Sequence, residues 1–261
     1  MGYTYITLSA FFFCLMTVFV KIAAQQLETI QIVFIRGVIT LLFTFVMVKR
    51  QKVYLWGKNH KILILRGITG TVALFFVYES IQRFPLPEAT VIQYLYPIFT
   101  VLIASLLLSE HAGNQLYFAI LLGFIGIYMI LDFPFINSDS SLYATNLIIA
   151  ITGALLTGCA YVFVRMASNM KESPYVIMFY FPLFTVPLSF PYAYATWISP
   201  SINIWIVLIL MAICTQLGQA FLTFGYKILP ASKAATTSYV QVPFSALAGA
   251  VIFYENISYN F

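Results

Sequence analysis

Nine stretches of this chain are long and apolar enough, or nearly so, to cross a lipid bilayer, and that leaves it few ways to fold. A span needs about 20 mostly apolar residues. The runs cover roughly residues 3–24, 29–48, 62–82, 86–108, 115–132, 145–166, 175–195, 202–226 and 231–254. Between them lie Gln25-Gln26, the basic stretch from Lys49 to Lys61, Pro85 and Pro87, Ser109 to Asn114, and Asn137-Ser138-Asp139. The runs are continuous, not alternating, which predicts helices and not barrel strands. The first has no positively charged n-region and is long enough to span, unlike a signal peptide.

Composition supports a membrane protein. Of 261 residues, 62% are apolar or aromatic and 8% are charged, against about 25% charged in an ordinary soluble domain. Mean hydropathy is +0.94. These values exclude a soluble enzyme, a nucleic-acid-binding domain and a disordered tail. Cys14, Cys159 and Cys214 all fall in apolar runs, and an odd count without motif spacing gives no disulfide framework. Tyr3, Tyr5, Tyr54, Trp56, Trp197 and Trp205 fall near run ends, as an aromatic belt requires.

Where the few charges lie orients the chain. With spans alternating, one face collects Lys49, Arg50, Lys52, Lys58, Lys61, Lys171, Lys227 and Lys233, with Arg66 and Arg165 close by. That makes ten of the thirteen Lys and Arg residues, against Lys21 and Arg83 on the other face. Cytoplasmic loops are rich in Lys and Arg, so the N-terminus is expected in the cytoplasm of a cell (inner) membrane. Arg36 is then the one basic residue deep in a span.

The chain also repeats itself. Val18 to Ala24 recurs as Val162 to Ser168 at an offset of 144, and Pro85, Ala89, Tyr94 and Glu110 fall on Pro230, Ala234, Tyr239 and Glu255 at 145. Pro97 and Pro243 match with one residue of slippage. Five spans per unit is odd, so the second unit enters the membrane from the opposite side, an inverted-topology repeat common in secondary transporters. The expected fold is an all-α integral membrane protein of five plus five transmembrane helices. Its first unit is residues 3–132. Its second is 145–261, C-terminally truncated and lacking the tenth helix.

At these residues the chain resembles the drug/metabolite transporter superfamily, specifically its EamA-like members. The matching features are Lys21 closing span one, Phe34-Ile35-Arg36 in span two and Arg66-Gly67 opening span three. Pro97 lies in span four and Ser109-Glu110 ends it. Gly123 and Gly126 lie in span five, and Arg165, Pro243 and Glu255 in the second unit. The resemblance implies ten spans, an inward-facing N-terminus, and export or uptake of small metabolites by alternating access. It implies no particular substrate, and the missing span is a departure from it.

The polar residues inside spans carry the expected chemistry. Arg36 lies seven residues into span two, about 10 Å deep at 1.5 Å per residue, where a central Arg costs roughly 2.5–3.5 kcal/mol to insert. It either attracts an anionic substrate group, or forms an ion pair with Glu79, or snorkels. Lys21 and Arg165 sit near helix ends, where snorkelling is the simpler role. Gln93, Tyr94 and Tyr96 precede Pro97, Tyr239 and Gln241 precede Pro243, and span eight adds Gln216 and Gln219. Amides in hydrocarbon need partners, so these residues face the bundle interior, either lining a substrate cavity or bridging helices. Pro97 and Pro243 interrupt corresponding spans, which points to a binding site there, with the two prolines as helix-break or gating positions. Gly123, Gly126 and Gly153 with Thr157 permit close helix approach, and Pro182, Pro187 and Pro191 bend span seven. Asn256-Ile257-Ser258 matches a glycosylation sequon.

The expected function is a multi-pass carrier of a small polar metabolite, amino-acid- or nucleoside-like, working by alternating access. The alternatives are a channel or pore and, behind it, an intramembrane enzyme. Asp132 and Asp139 lie at or beyond the end of span five, His60 and His111 lie in loops, and no Gly-rich phosphate loop is present. No enzymatic activity, cofactor or metal is therefore expected. A channel would need a filter-like loop or rings of like charge. The expected partners are the lipid bilayer and a small-molecule substrate, without nucleic acid and with a homodimer left open. Glu79 is the only carboxylate well within a span, so proton coupling would run through it, against exchange or facilitated diffusion.

Overall fold

The computed structural model describes residues 1–84, 89, 92–108, 118, 122 and 141–253, and among them it is helical with no strand. The helices are α1 (Gly2–Ala23), α2 (Thr29–Arg50), α3 (His60–Arg83), α4 (Tyr96–Leu108), α5 (Ser141–Asn169), α6 (Pro174–Ala195), α7 (Ile202–Ile228), α8 (Ala231–Thr237) and α9 (Gln241–Phe253). A 3₁₀ turn at Ser238–Val240 joins the last two. Among the described residues, seven stretches are long and apolar enough to cross a membrane: α1, α2, α3, Thr145–Asn169 within α5, α6, α7, and Ala231–Phe253 taken together. Tyr96–Leu108 is a shorter apolar helix. The fifth apolar run, with Gly123 and Gly126, lies outside the described residues except at 118 and 122. So do Pro85, Pro87, Glu88, Glu110, His111, Asp132, Asp139, Glu255 and the sequon.

Helices form because in lipid each backbone N–H and C=O must find its partner within the segment. Their ends follow the charge pattern, with Lys49 and Arg50 in the last turn of α2 complementing its dipole. Arg165 Nη1 donates to the Tyr226 carbonyl at 3.0 Å, at the C-terminal end of α7. Lys21 places its Nζ 4.9 Å from the ring centre of Phe253. Helix α6 starts with Pro174 at its first position and continues through Pro182, Pro187 and Pro191. The Thr185 and Ser189 hydroxyls donate to the carbonyls of Phe181 and Thr185, at 2.9 and 2.7 Å.

Packing joins helices distant in sequence. α1 lies on α7, α3 on α5, α2 on α6, and α4 on both α5 and α8. Small residues set the closest approaches. A Cβ at Gly158 of α5 would stand 3.0 Å from the Tyr96 carbonyl and the Thr100 nitrogen of α4. Gly153 meets α3 in the same way, 3.2 Å from the Val77 nitrogen. Tyr3, Tyr54, Trp56, Trp197 and Trp205 are exposed near helix ends, whereas Tyr5 is half-buried with its ring 6.1 Å from those of Phe221 and Phe224.

Two side chains tie loops across the bundle. The buried Glu172, between α5 and α6, accepts from the backbone nitrogens of Lys58 and Asn59 at 2.8 and 2.6 Å and from Asn59 Nδ2 at 2.8 Å. It thereby satisfies donors that the start of α3 leaves unpaired. At the opposite end of α2, Gln31 Nε2 donates to the Ile198 carbonyl at 2.6 Å while its Oε1 accepts from the Ile198 nitrogen at 3.1 Å.

Candidate functional site

The chain breaks its helical path at two places, each just before a predicted proline. At Tyr94-Leu95 it forms a turn ahead of Pro97, with the Leu95 nitrogen donating to Ile92 at 3.0 Å and the Ile98 nitrogen to Leu95 at 3.0 Å. Ser238–Val240 is the matching 3₁₀ turn ahead of Pro243. Each proline then sits in the first turn of the next helix, where its missing N–H removes no helix bond. The breaks themselves carry the side chains of interest.

A cavity of about 110 Å³ lies where these turns meet α1, α2, α3, α5, α6 and α7. That is several times the roughly 10–15 Å³ that admits one water. Arg36, Gln93, Tyr94, Tyr96, Gln219 and Gln241 all line it. The Tyr94 hydroxyl donates to Gln241 Oε1, and the Tyr96 hydroxyl donates to Ser238 Oγ at 2.5 Å. Gln93 Nε2 donates to Thr157 Oγ1 at 3.0 Å, and that hydroxyl donates on to the Gly153 carbonyl at 2.7 Å. The Oε1 of Gln93 is buried and has no partner. Tyrosine rings continue the wall: Tyr94 and Tyr96 are 5.3 Å apart, and Tyr96 meets Tyr161 edge-on at 5.1 Å.

Two of the expected residues stand behind the wall. Tyr239 packs its ring 5.9 Å from that of Tyr94 and so supports it. Gln216 is buried and places its Nε2 3.4 Å from Met47 Sδ on α2. Pro97 is buried at the start of α4, and Pro243 is exposed near the start of α9.

Two expectations are corrected. Arg36 is not alone in the membrane interior. Arg66 lies six residues into α3, about 9 Å from its start. It is 2% exposed, lines the same cavity, and so leaves the count of face-marking charges. Its Nη2 donates to Gln219 Oε1 at 3.4 Å. Nor does Arg36 pair with Glu79, whose carboxylate instead meets Arg83 at 3.0 Å, one turn on and partly exposed. Arg36, 3% exposed, has its guanidinium 5.4 Å from the ring centres of both Tyr78 and Phe181. The Arg66 guanidinium lies 4.8 Å from the Phe181 centre. One signal for Arg66 was legible: Gly70 follows one turn later, and a Cβ there would collide with Arg66 Nη1.

Comparison with known proteins matches this architecture. The model of the EamA-like transporter family matches residues 1–132 and 145–260. The pseudopaline exporter CntI of Pseudomonas aeruginosa is 28% identical over 240 residues, 92% of this chain and 83% of its own length. The S-adenosylmethionine uptake transporter of Rickettsia prowazekii is 28% identical over 196 residues, 74% of this chain and 63% of its own. A crystal structure 17% identical in sequence shares the fold with a TM-score of 0.74, over 98% of this chain and 90% of that one. The two named relatives are transporters and not enzymes. With the family model covering most of its length, the chain belongs to the EamA-like transporter family as a multi-pass membrane protein.

Proposed function

We propose that this chain is a carrier that moves a small polar metabolite across the cell (inner) membrane by alternating access, with its N-terminus in the cytoplasm. The observation that carries this is the cavity at two matching helix breaks, lined by Gln93, Tyr94, Tyr96, Gln219 and Gln241 within an apolar bundle. Broken helices near the midplane, in corresponding positions of two repeats, are where secondary transporters hold substrate. The Gln amides and Tyr hydroxyls supply donors and acceptors for a polar ligand, and the aromatic faces pack against its skeleton.

The inverted repeat, with units 3–132 and 145–261, is supported by helix pairing. If spans one to four correspond to six to nine, the α1–α7 and α3–α5 packings exchange with each other, while α2–α6 and α4–α8 map onto themselves. Two unlike crossings at opposite ends of the α2–α6 pair, Glu172 on Asn59 and Gln31 on Ile198, fit a device that opens one end at a time. Cytoplasmic placement of the N-terminus rests on the basic loops, which the removal of Arg66 leaves strongly one-sided.

The test is counterflow. Purified chain in liposomes preloaded with unlabelled metabolite should accumulate labelled metabolite transiently and saturably. Flux that rises linearly with concentration and ignores the trans-side metabolite means a pore and ends the carrier account.

A further inference from the structure

We propose that Arg36 and Arg66 form a two-cation receptor and that the metabolite held in this cavity is a small dicarboxylate; this rests on the carrier account of the same cavity. The two residues enter from opposite ends of the bundle, on the consecutive helices α2 and α3, and both guanidiniums lie against the ring of Phe181 on α6. An aromatic ring attracts the cation without accepting its N–H groups as a carboxylate would. One nitrogen of each is not satisfied within the protein: Arg36 Nη1 and Arg66 Nε are buried with no hydrogen-bond partner, while Arg66 Nη2 donates to Gln219 Oε1 at 3.4 Å.

Among the described residues, no carboxylate lines the cavity. Among the described residues, Glu28 is exposed at the start of α2, Glu79 is held by Arg83, and Glu172 is held by Lys58 and Asn59. Two positive charges thus face one cavity with no counter-charge among the described residues. Buried charges are costly unless paired, and an anionic ligand would supply the partners. A guanidinium presents a planar fork that a carboxylate meets edge-on with two hydrogen bonds. One carboxylate would neutralise one Arg, so two forks on separate helices call for two carboxylates. A phosphate monoester carries both charges on a single centre, and the glycerol 3-phosphate arm below separates it from a dicarboxylate. Gly70 supports a receptor role for Arg66, because it leaves the space that the guanidinium fills. Leu74 and Val77, on the same helix and in the same wall, suit a short carbon chain between the two acids.

The test varies ligand charge at nearly constant shape. Titration calorimetry of the purified full-length chain with succinate, its monoamide succinamate, neutral succinamide and glycerol 3-phosphate needs no mutation. Succinate should bind, succinamate at least tenfold more weakly, and succinamide and glycerol 3-phosphate more weakly than succinate. In Arg36→Gln and Arg66→Gln, the preference for succinate over succinamate should shrink at least tenfold, a change that loss of packing alone does not produce. Failure of succinate to bind, equal binding of succinate and succinamide, or tighter binding of glycerol 3-phosphate overturns the dicarboxylate assignment. If adenosine or lysine then shows saturable counterflow while succinate is inert, the carrier account stands and only the receptor falls. If every solute leaks linearly, the carrier account falls as well.

Discussion

The Tyr94 hydroxyl donates to Gln241 Oε1, so the two helix breaks are joined to each other by a buried hydrogen bond. The residues are 147 apart in sequence, and each precedes a proline of corresponding position. Tyr94→Phe leaves the amide oxygen of Gln241 without this donor in a wall where replacements are few. An orphaned buried acceptor costs about 1–3 kcal/mol. Expressed in transport, KM should rise about tenfold, since 1.4 kcal/mol is a factor of ten. Initial rates in proteoliposomes check this, with the thermal midpoint in detergent as control for folding.

Glu172 predicts a stability effect away from the cavity. Its Oε1 accepts three hydrogen bonds from Lys58 and Asn59 at the start of α3. Glu172→Ala removes the acceptor and leaves the donors of that helix end unpaired, at about 2 kcal/mol. The expected result is a lowered thermal midpoint in detergent, with Glu172→Gln intermediate because its amide oxygen still accepts.

Gly158 sets how closely α4 and α5 approach. In Gly158→Ala the new methyl must displace Tyr96 or Phe99, because its Cβ would lie 2.9 Å from Phe99 Cβ and 3.0 Å from the Tyr96 carbonyl. Overpacking of this kind costs about 1–3 kcal/mol. Since Tyr96 lines the cavity, ligand binding should weaken together with the thermal midpoint, measured on the same preparation. An unchanged affinity would separate the α4–α5 contact from the site.

Glu79 gives the opposite expectation. Its ion pair with Arg83 is solvent-facing, with side-chain exposures of 38% and 41%, and such pairs contribute about 0–1 kcal/mol. Glu79→Gln should leave stability within about 0.5 kcal/mol and the pH profile of transport unchanged. A lost pH dependence would return proton coupling to this carboxylate.

The sequence was most informative where hydrocarbon imposes a cost. Gln93, Tyr94, Tyr96, Gln219 and Gln241 reach one cavity because polar groups in lipid have nowhere else to go. Gln216 obeys the same rule but finds Met47 instead, since apolar pattern reports that a face is buried and not which helix covers it. Arg36 was legible from its depth in an uninterrupted apolar run. Arg66 was missed because Lys58 and Lys61 precede it closely and draw the apparent edge of the span toward it, whereas α3 already begins at His60. The pairing of α1 with α7 and α3 with α5 was not legible either. The spans are apolar nearly all round, so no stripe singles out a partner.

The most direct test of the carrier account is access to the cavity from each face. Cys14, Cys159 and Cys214 are replaced, Gln93→Cys or Gln241→Cys is introduced, and membrane-impermeant thiol reagents are applied to sealed liposomes of known orientation. Alternating access predicts that each position is labelled from either face, that the transported metabolite slows labelling from both, and that planar bilayers show no continuous current. Labelling from one face alone, or from both faces together with a steady current, would contradict the account.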